Sequence, residues 1–128
     1  MRREARIKAM QILYTIDFNQ INIEQAINTV MEDNIDPYAV ELVKKCVERL
    51  NEVDQIIESA LKNYTLNRLN LVDKAIVRLA VSEMFGNEPR EVIINEALEI
   101  TKEFSDQGDH KAISFNNRLL DNINKSLK

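Results

Sequence analysis

Glycine and proline together occupy only Pro37, Gly86, Pro89 and Gly108 in a chain of 128 residues. No stretch between them alternates apolar and polar residues like a half-buried strand. A chain so poor in turn residues cannot make the repeated tight reversals of a sheet, so the sequence predicts an all-α fold. With 45% of residues hydrophobic and 30% charged, it can bury one core, or two small subdomains sharing a core.

Periodicity and capping signals divide the chain into helices. The first is predicted over 3–18 and the second over 23–33, with Asn22 and Gln25 as a capping box. Asp36 and Pro37 supply an N-cap and a first-turn proline for a helix through Leu50. VDQIIESALKNY continues as another helix to Lys62, after a bend near Asn51. YTLNRLN reads as a polar connector, and Asn70 then caps LVDKAIVRLAVSEMF, with Gly86 as the stop and Val72, Ile76, Leu79 and Ala80 as the buried stripe. Pro89 opens a helix whose Ile93, Ala97, Ile100 and Phe104 recur at helical spacing, SDQGDHK is a loop, and a last helix runs from Ala112 to Ser126. The shift near Asn51 divides an N-terminal subdomain, 1–50, from a C-terminal one, 51–128.

The single cysteine, Cys46, has no internal disulfide partner, and no apolar run approaches the roughly 18 residues of a membrane span. The N-terminus is charged and then amphipathic, unlike a secretory signal. These features lead us to expect a soluble protein of a reducing cytoplasm. Catalysis finds no constellation to support it. His110, the only histidine, neighbours a glycine-containing loop without metal-ligand spacing to a cysteine or carboxylate cluster. Cys46 sits between apolar positions like an inert core thiol. The sequence therefore argues against an enzyme and implies no cofactor or metal.

Charge is informative through its distribution. The net charge is −4, yet Arg2, Arg3, Arg6 and Lys8 against Glu4 make residues 1–8 locally +3, leaving −7 for the remainder. From Lys8 to Lys44 no basic residue intervenes, while Asp17, Glu24, Glu32, Asp33, Asp36 and Glu41 accumulate. Such polarity orients a polyanion towards one end. The placement is also costly, because a helix N-terminus carries partial positive charge and favours acids. Ala5, Ala9, Ile12 and Ile16 form the inward stripe at 100° per residue, and Arg2, Arg3 and Arg6 fall on one flank that continues through Met10 and Tyr14. Guanidiniums followed by an aromatic ring suit phosphates and an unpaired base. A solvated N-terminal turn with a core tyrosine has the same periodicity.

Three ordered blocks carry a resemblance. RREARIKAMQILYTID is similar to the arginine-rich opening of the NusB family of bacterial transcription antitermination factors, with its A-x-Q-x-L-Y/F pattern. YTLNRLNLVDKAIVRLAVSEM resembles the family's W/Y-x-L-x-R followed by V-D/E-[RK]-A-I-L-R-L-A-x-Y-E-[ML], and INEALEITKEF resembles I-N-E-A-[IV]-E-L-A-K-x-F. The resemblance implies a bundle of about seven helices in two subdomains and a non-enzymatic role. That role is binding the boxA element of ribosomal RNA leader transcripts as single-stranded RNA. It is performed with NusE, a ribosomal small-subunit protein, in an RNA polymerase antitermination complex. Charges unfavourable to the helix start are then tolerable because anionic RNA is their partner.

Carried over by position, the resemblance implies RNA-facing roles for Arg2, Arg3, Arg6, Gln11, Tyr14, Arg68 and Arg78. It implies the same for Phe115 and Asn117, which match the Phe and Asn of K-F-V-N-G-[VI]-L. Tyr64 is core, surface or partner interface, and Asp73 is an ordinary third-position helix acid or part of the partner interface. SFNNRLLDNI departs from the pattern, with Asn116 in an apolar slot and Arg118 in a glycine slot, so that Arg118 either obstructs a contact or adds a cation. Two alternatives stand beside this reading. One is a helical adaptor that makes only protein contacts. The other is the NusB-like domain of certain ribosomal RNA methyltransferases, for which a chain ending at Lys128 leaves no catalytic domain.

Overall fold

The computed structural model describes residues 2–62 and 65–127, so Tyr64 lies outside the described residues. Among the described residues there are seven α-helices, one 3₁₀ turn and no strand. The helices are α1 (Arg2–Asn19), α2 (Ile23–Met31), α3 (Pro37–Glu48), α4 (Leu50–Ala60), α5 (Leu71–Glu83), α6 (Arg90–Phe104) and α7 (Lys111–Ser126), with the 3₁₀ turn at Leu66–Arg68. The all-α expectation holds.

Local chemistry starts several of them as expected. The Asn22 side chain accepts from the Gln25 amide at 2.8 Å while Gln25 accepts from the Asn22 amide at 3.1 Å, a complete capping box. Asp36 accepts from the Tyr38 amide at 3.0 Å with Pro37 in the first turn. Asn70 accepts from the Asp73 amide at 2.8 Å. The break after α3 falls at Arg49, which leaves helical geometry (φ −115, ψ 27) two residues before Asn51. Gly86 supplies no left-handed stop. The positive-φ positions are Gln20, Glu32, Gly108 and His110, and α5 closes through tightened bonds from the Phe85 amide to Ser82 and the Gly86 amide to Glu83.

α5 is the central helix. It packs against α1, α3, α4, α6 and α7, and buries Asp73, Lys74, Ala75, Ile76, Val77, Leu79, Ala80, Val81 and Ser82. A single stripe was expected there. Val72 is only half-buried, and the helix is instead covered nearly all round, as its AIVRLAV run permits. α5 touches α1 and α3 as well as α4, α6 and α7, and the buried apolar residues form one contiguous core.

α6 also differs from expectation. Phe104 is exposed, and the inward row runs Ile93, Ala97, Thr101, Ser105 alongside Ile100. The polar end of that row meets polar neighbours. Thr101 donates to the Ala97 carbonyl at 2.8 Å and accepts from Asn116, and Ser105 donates to Asp73 at 2.6 Å.

Candidate nucleic-acid interface

α1 lies antiparallel on α5, because Arg6 pairs with Glu83 at the end of α5 while Asp17 meets Lys74 and Arg78 nearer its start. Its buried face is wider than one stripe. Ala5, Arg6, Ala9, Met10, Ile12 and Leu13 are all interior, and Ile16 is half-buried. The flank read as an open edge therefore turns inward at Arg6 and Met10. A helix touching α2, α3 and α5 at once is covered on more than one side.

The three N-terminal arginines meet three glutamates. Arg6 donates from Nε and Nη2 to both oxygens of Glu83 at 2.8–3.0 Å, with Glu88 3.6 Å away. Its side chain is 4% exposed and that of Glu83 8%. Hydrogen bonding to Glu83 raises the Arg6 pKa despite burial. A phosphate cannot reach this guanidinium, expected from the sequence to face RNA, without parting the pair. Arg3 grips Glu96 with two parallel bonds at 2.7 and 2.8 Å, and Arg2 donates to Glu88 at 2.8 Å with its guanidinium over the Tyr38 ring. These two side chains remain 45% and 66% exposed. Arg3, through its hydrogen bonds, holds the Glu96 carboxyl below the usual carboxylate range.

Further along α1, Tyr14 is half-buried and stacks on Phe18, with centroids 5.5 Å apart and planes 9° from parallel. Phe18 is 61% exposed. Sequence reading passed over Phe18, although its position four residues after Tyr14 signals the pair. Gln11 is half-buried on the same helix. Arg68 is exposed in the 3₁₀ turn, whereas Arg78 is mostly buried and donates from Nε and Nη2 to Asp54 at 2.8 Å. Arg78 thus acts first as a bolt between α4 and α5.

The far end of α5 gathers a different set. Asp73 is buried and accepts from Ser105, from Asn116 at 3.1 Å and from Asn70 at 2.8 Å. It stands as an acid in the first turn of α5. Asn116 occupies an apolar slot of the family pattern because its amide bridges Asp73 and Thr101 in the interior. Its neighbours Phe115 and Asn117 are half-buried and exposed respectively. Arg118 is exposed beside Phe115 and Lys62 on a cleft of about 240 Å³ whose lining holds no carboxylate. It adds a cation there. Glu83 and Asp73 are ten residues apart on α5, so the two clusters stand about 15 Å apart along the helix at 1.5 Å per residue.

Among the described residues no three His, Cys, Asp or Glu side chains are placed to hold a metal ion. His110 is exposed just before α7. Burial pushes the Cys46 thiol pKa up to about 12, leaving it protonated at neutral pH. No helix among the described residues is long and apolar enough to cross a membrane.

The sequence model of the NusB family matches residues 3–125. The chain belongs to the NusB family. It is 42% identical over 124 residues to the transcription antitermination protein NusB of Listeria innocua, covering 95% of this chain and 94% of that one. With the Bacillus subtilis protein of the same name it shares 40% identity over 130 residues, 99% of this chain and 97% of the relative. A crystal structure of the antitermination factors NusB and NusE in complex with dsRNA aligns with a TM-score of 0.86 at 29% identity, covering 98% of this chain and 96% of the other. NusB proteins are transcription antitermination factors, a kind of protein not known to be an enzyme.

Proposed function

We propose that the protein binds the boxA element of ribosomal RNA leader transcripts, as single-stranded RNA and together with NusE, and supports processive transcription by RNA polymerase. The observation that carries this reading is the full-length likeness to a NusB solved with NusE and RNA. The chain's own surface is consistent with it. Arg2 and Arg3 supply exposed guanidiniums for phosphates, and Tyr14 with Phe18 offers a stacked aromatic platform for an unpaired base. Arg68, Phe115, Asn117 and Arg118 extend the candidate surface, while Arg6 and Arg78 hold the helices that present it. Tyr64 remains a partner-facing candidate from the sequence.

A protein of net charge −4 with a few usable cations binds RNA weakly alone. A basic partner docked alongside lengthens the positive track, so NusE and RNA should bind cooperatively, with a coupling of about 1 to 3 kcal/mol that is equal in both orders of addition. Calorimetric titration of boxA-like RNA with and without NusE, using the single strand and its duplex, tests this. Tighter single-strand binding in the presence of NusE is expected, and equal affinity for the free and NusE-bound protein removes the cooperative mechanism.

The Arg–Glu pairs favour a second reading, a helical adaptor without RNA binding, because carboxylates already neutralise all three N-terminal arginines. Salt separates the two. RNA binding through phosphates weakens steeply as salt rises, whereas an adaptor shows no RNA binding at any salt.

A further inference from the structure

The pairing of the N-terminal arginines divides by depth. Arg6 and Glu83 are interior, yet Arg2 and Arg3 are exposed cations whose partners, Glu88 and Glu96, are also partly open to solvent at 25% and 19%. Glu88 stands just before α6 and Glu96 lies on it, so neither shares a helix with the arginine it binds. Glu99 and Glu103, further along α6, add to the negative field that Arg3 senses. Any polyanion approaching the start of α1 meets guanidiniums that already have acceptors, with more carboxylates behind them.

We infer that Glu88 and Glu96 act as internal competitors for phosphate, setting the threshold that an RNA must exceed to bind at Arg2 and Arg3. The inference rests on the RNA-binding reading above and adds to it a threshold-setting role for two acidic residues. A phosphate that takes Arg3 must replace two parallel bonds of the kind it offers itself, and it leaves Glu96 charged beside the new anion. The same exchange applies to Arg2 and Glu88. No covalent bond changes. The cost is common to all polyanions, so it leaves the ratio between RNAs untouched and lowers all binding that depends on these phosphate contacts. Ligands that stack a base or engage a second protein retain useful affinity, and those held by charge alone do not.

Glu88→Gln, Glu96→Gln and the double variant keep side-chain size while removing charge. The Arg2–Glu88 and Arg3–Glu96 pairs are partly open to solvent and Arg6 keeps its bonds to Glu83, so thermal unfolding should stay near wild type. Titration of the full-length protein, free and with NusE, against a boxA-like single strand and oligouridine should show about two- to fivefold tighter binding for each substitution and roughly tenfold for both. In the Arg2→Ala, Arg3→Ala background the gain should disappear. Unchanged affinity overturns the competitor role. Weaker binding also overturns it, because the carboxylates then serve to hold the arginines in the binding pose. If wild type binds RNA and the glutamine variants gain nothing, only this inference fails. If no form binds RNA, with or without NusE, the RNA-binding reading fails and takes the inference with it.

Discussion

One end of α5 is held by full charges and the other by hydrogen bonds around a single carboxylate. At the Glu83 end, three arginines from α1 meet three glutamates, and the pairs grade from buried at Arg6 to open at Arg2. At the Asp73 end, one buried carboxylate collects donors from Asn70, Ser105 and Asn116 without a cation. The first arrangement leaves two charges that a ligand can recruit. The second spends its polar groups on locking α5, α6 and α7 together, which sets the pose of Phe115 and Asn117. Charges near the surface can change partner at small cost, whereas a buried carboxylate held by three hydrogen bonds cannot.

The largest effect should come from removing one half of the buried pair. Arg6→Ala strands the Glu83 carboxylate in the interior and should cost about 3 to 5 kcal/mol, lowering the melting temperature by roughly 10 to 20 °C in calorimetry. Replacing both partners, Arg6→Met with Glu83→Leu, should recover most of that loss, since an apolar pair strands no charge. At the other end, Asp73→Ala leaves Ser105 without its acceptor and Asn116 with Thr101 alone, and should cost about 1 to 3 kcal/mol in denaturant unfolding. An equal loss at both ends would erase the contrast between them.

The aromatic pair separates recognition from packing. Phe18→Ala, at a side chain 61% exposed, should leave stability nearly intact and weaken RNA binding by about 1 to 3 kcal/mol if a base stacks on the platform. Tyr14→Phe should preserve most of that affinity. A stability loss without a change in RNA binding per folded molecule would return both rings to a packing role. The smallest effect belongs to Cys46. With its thiol pKa pushed up to about 12, it should resist alkylation at neutral pH and react only as the protein unfolds, as timed labelling can follow.

These residues also show where sequence reasoning succeeds. Asn22 with Gln25, Asp36 with Pro37, and Asn70 were readable because caps act over two or three positions. The helix count and the inward phase of Ala5, Ala9 and Ile12 followed from period alone. Arg6 was not readable. Its partner lies 77 residues away, and helical phase gives the direction of a side chain without naming what waits there. Asn116 looked anomalous for a related reason, since its polarity makes sense only beside Asp73, 43 residues earlier. Phe104 continues the apolar spacing of α6 yet lies outside the seam, which turns polar at Thr101 and Ser105.

The central claim is that α1 divides its arginines, Arg6 holding the fold and Arg2 with Arg3 meeting RNA. Parallel thermal unfolding and salt-dependent RNA titration of the Arg2→Ala, Arg3→Ala variant against wild type test it most directly. The melting temperature should stay near wild type while RNA affinity falls and the salt slope drops by about 0.7 for each lost phosphate contact. Unchanged RNA affinity and slope in a fully folded variant would contradict the claim and leave these arginines as ion-pair partners only.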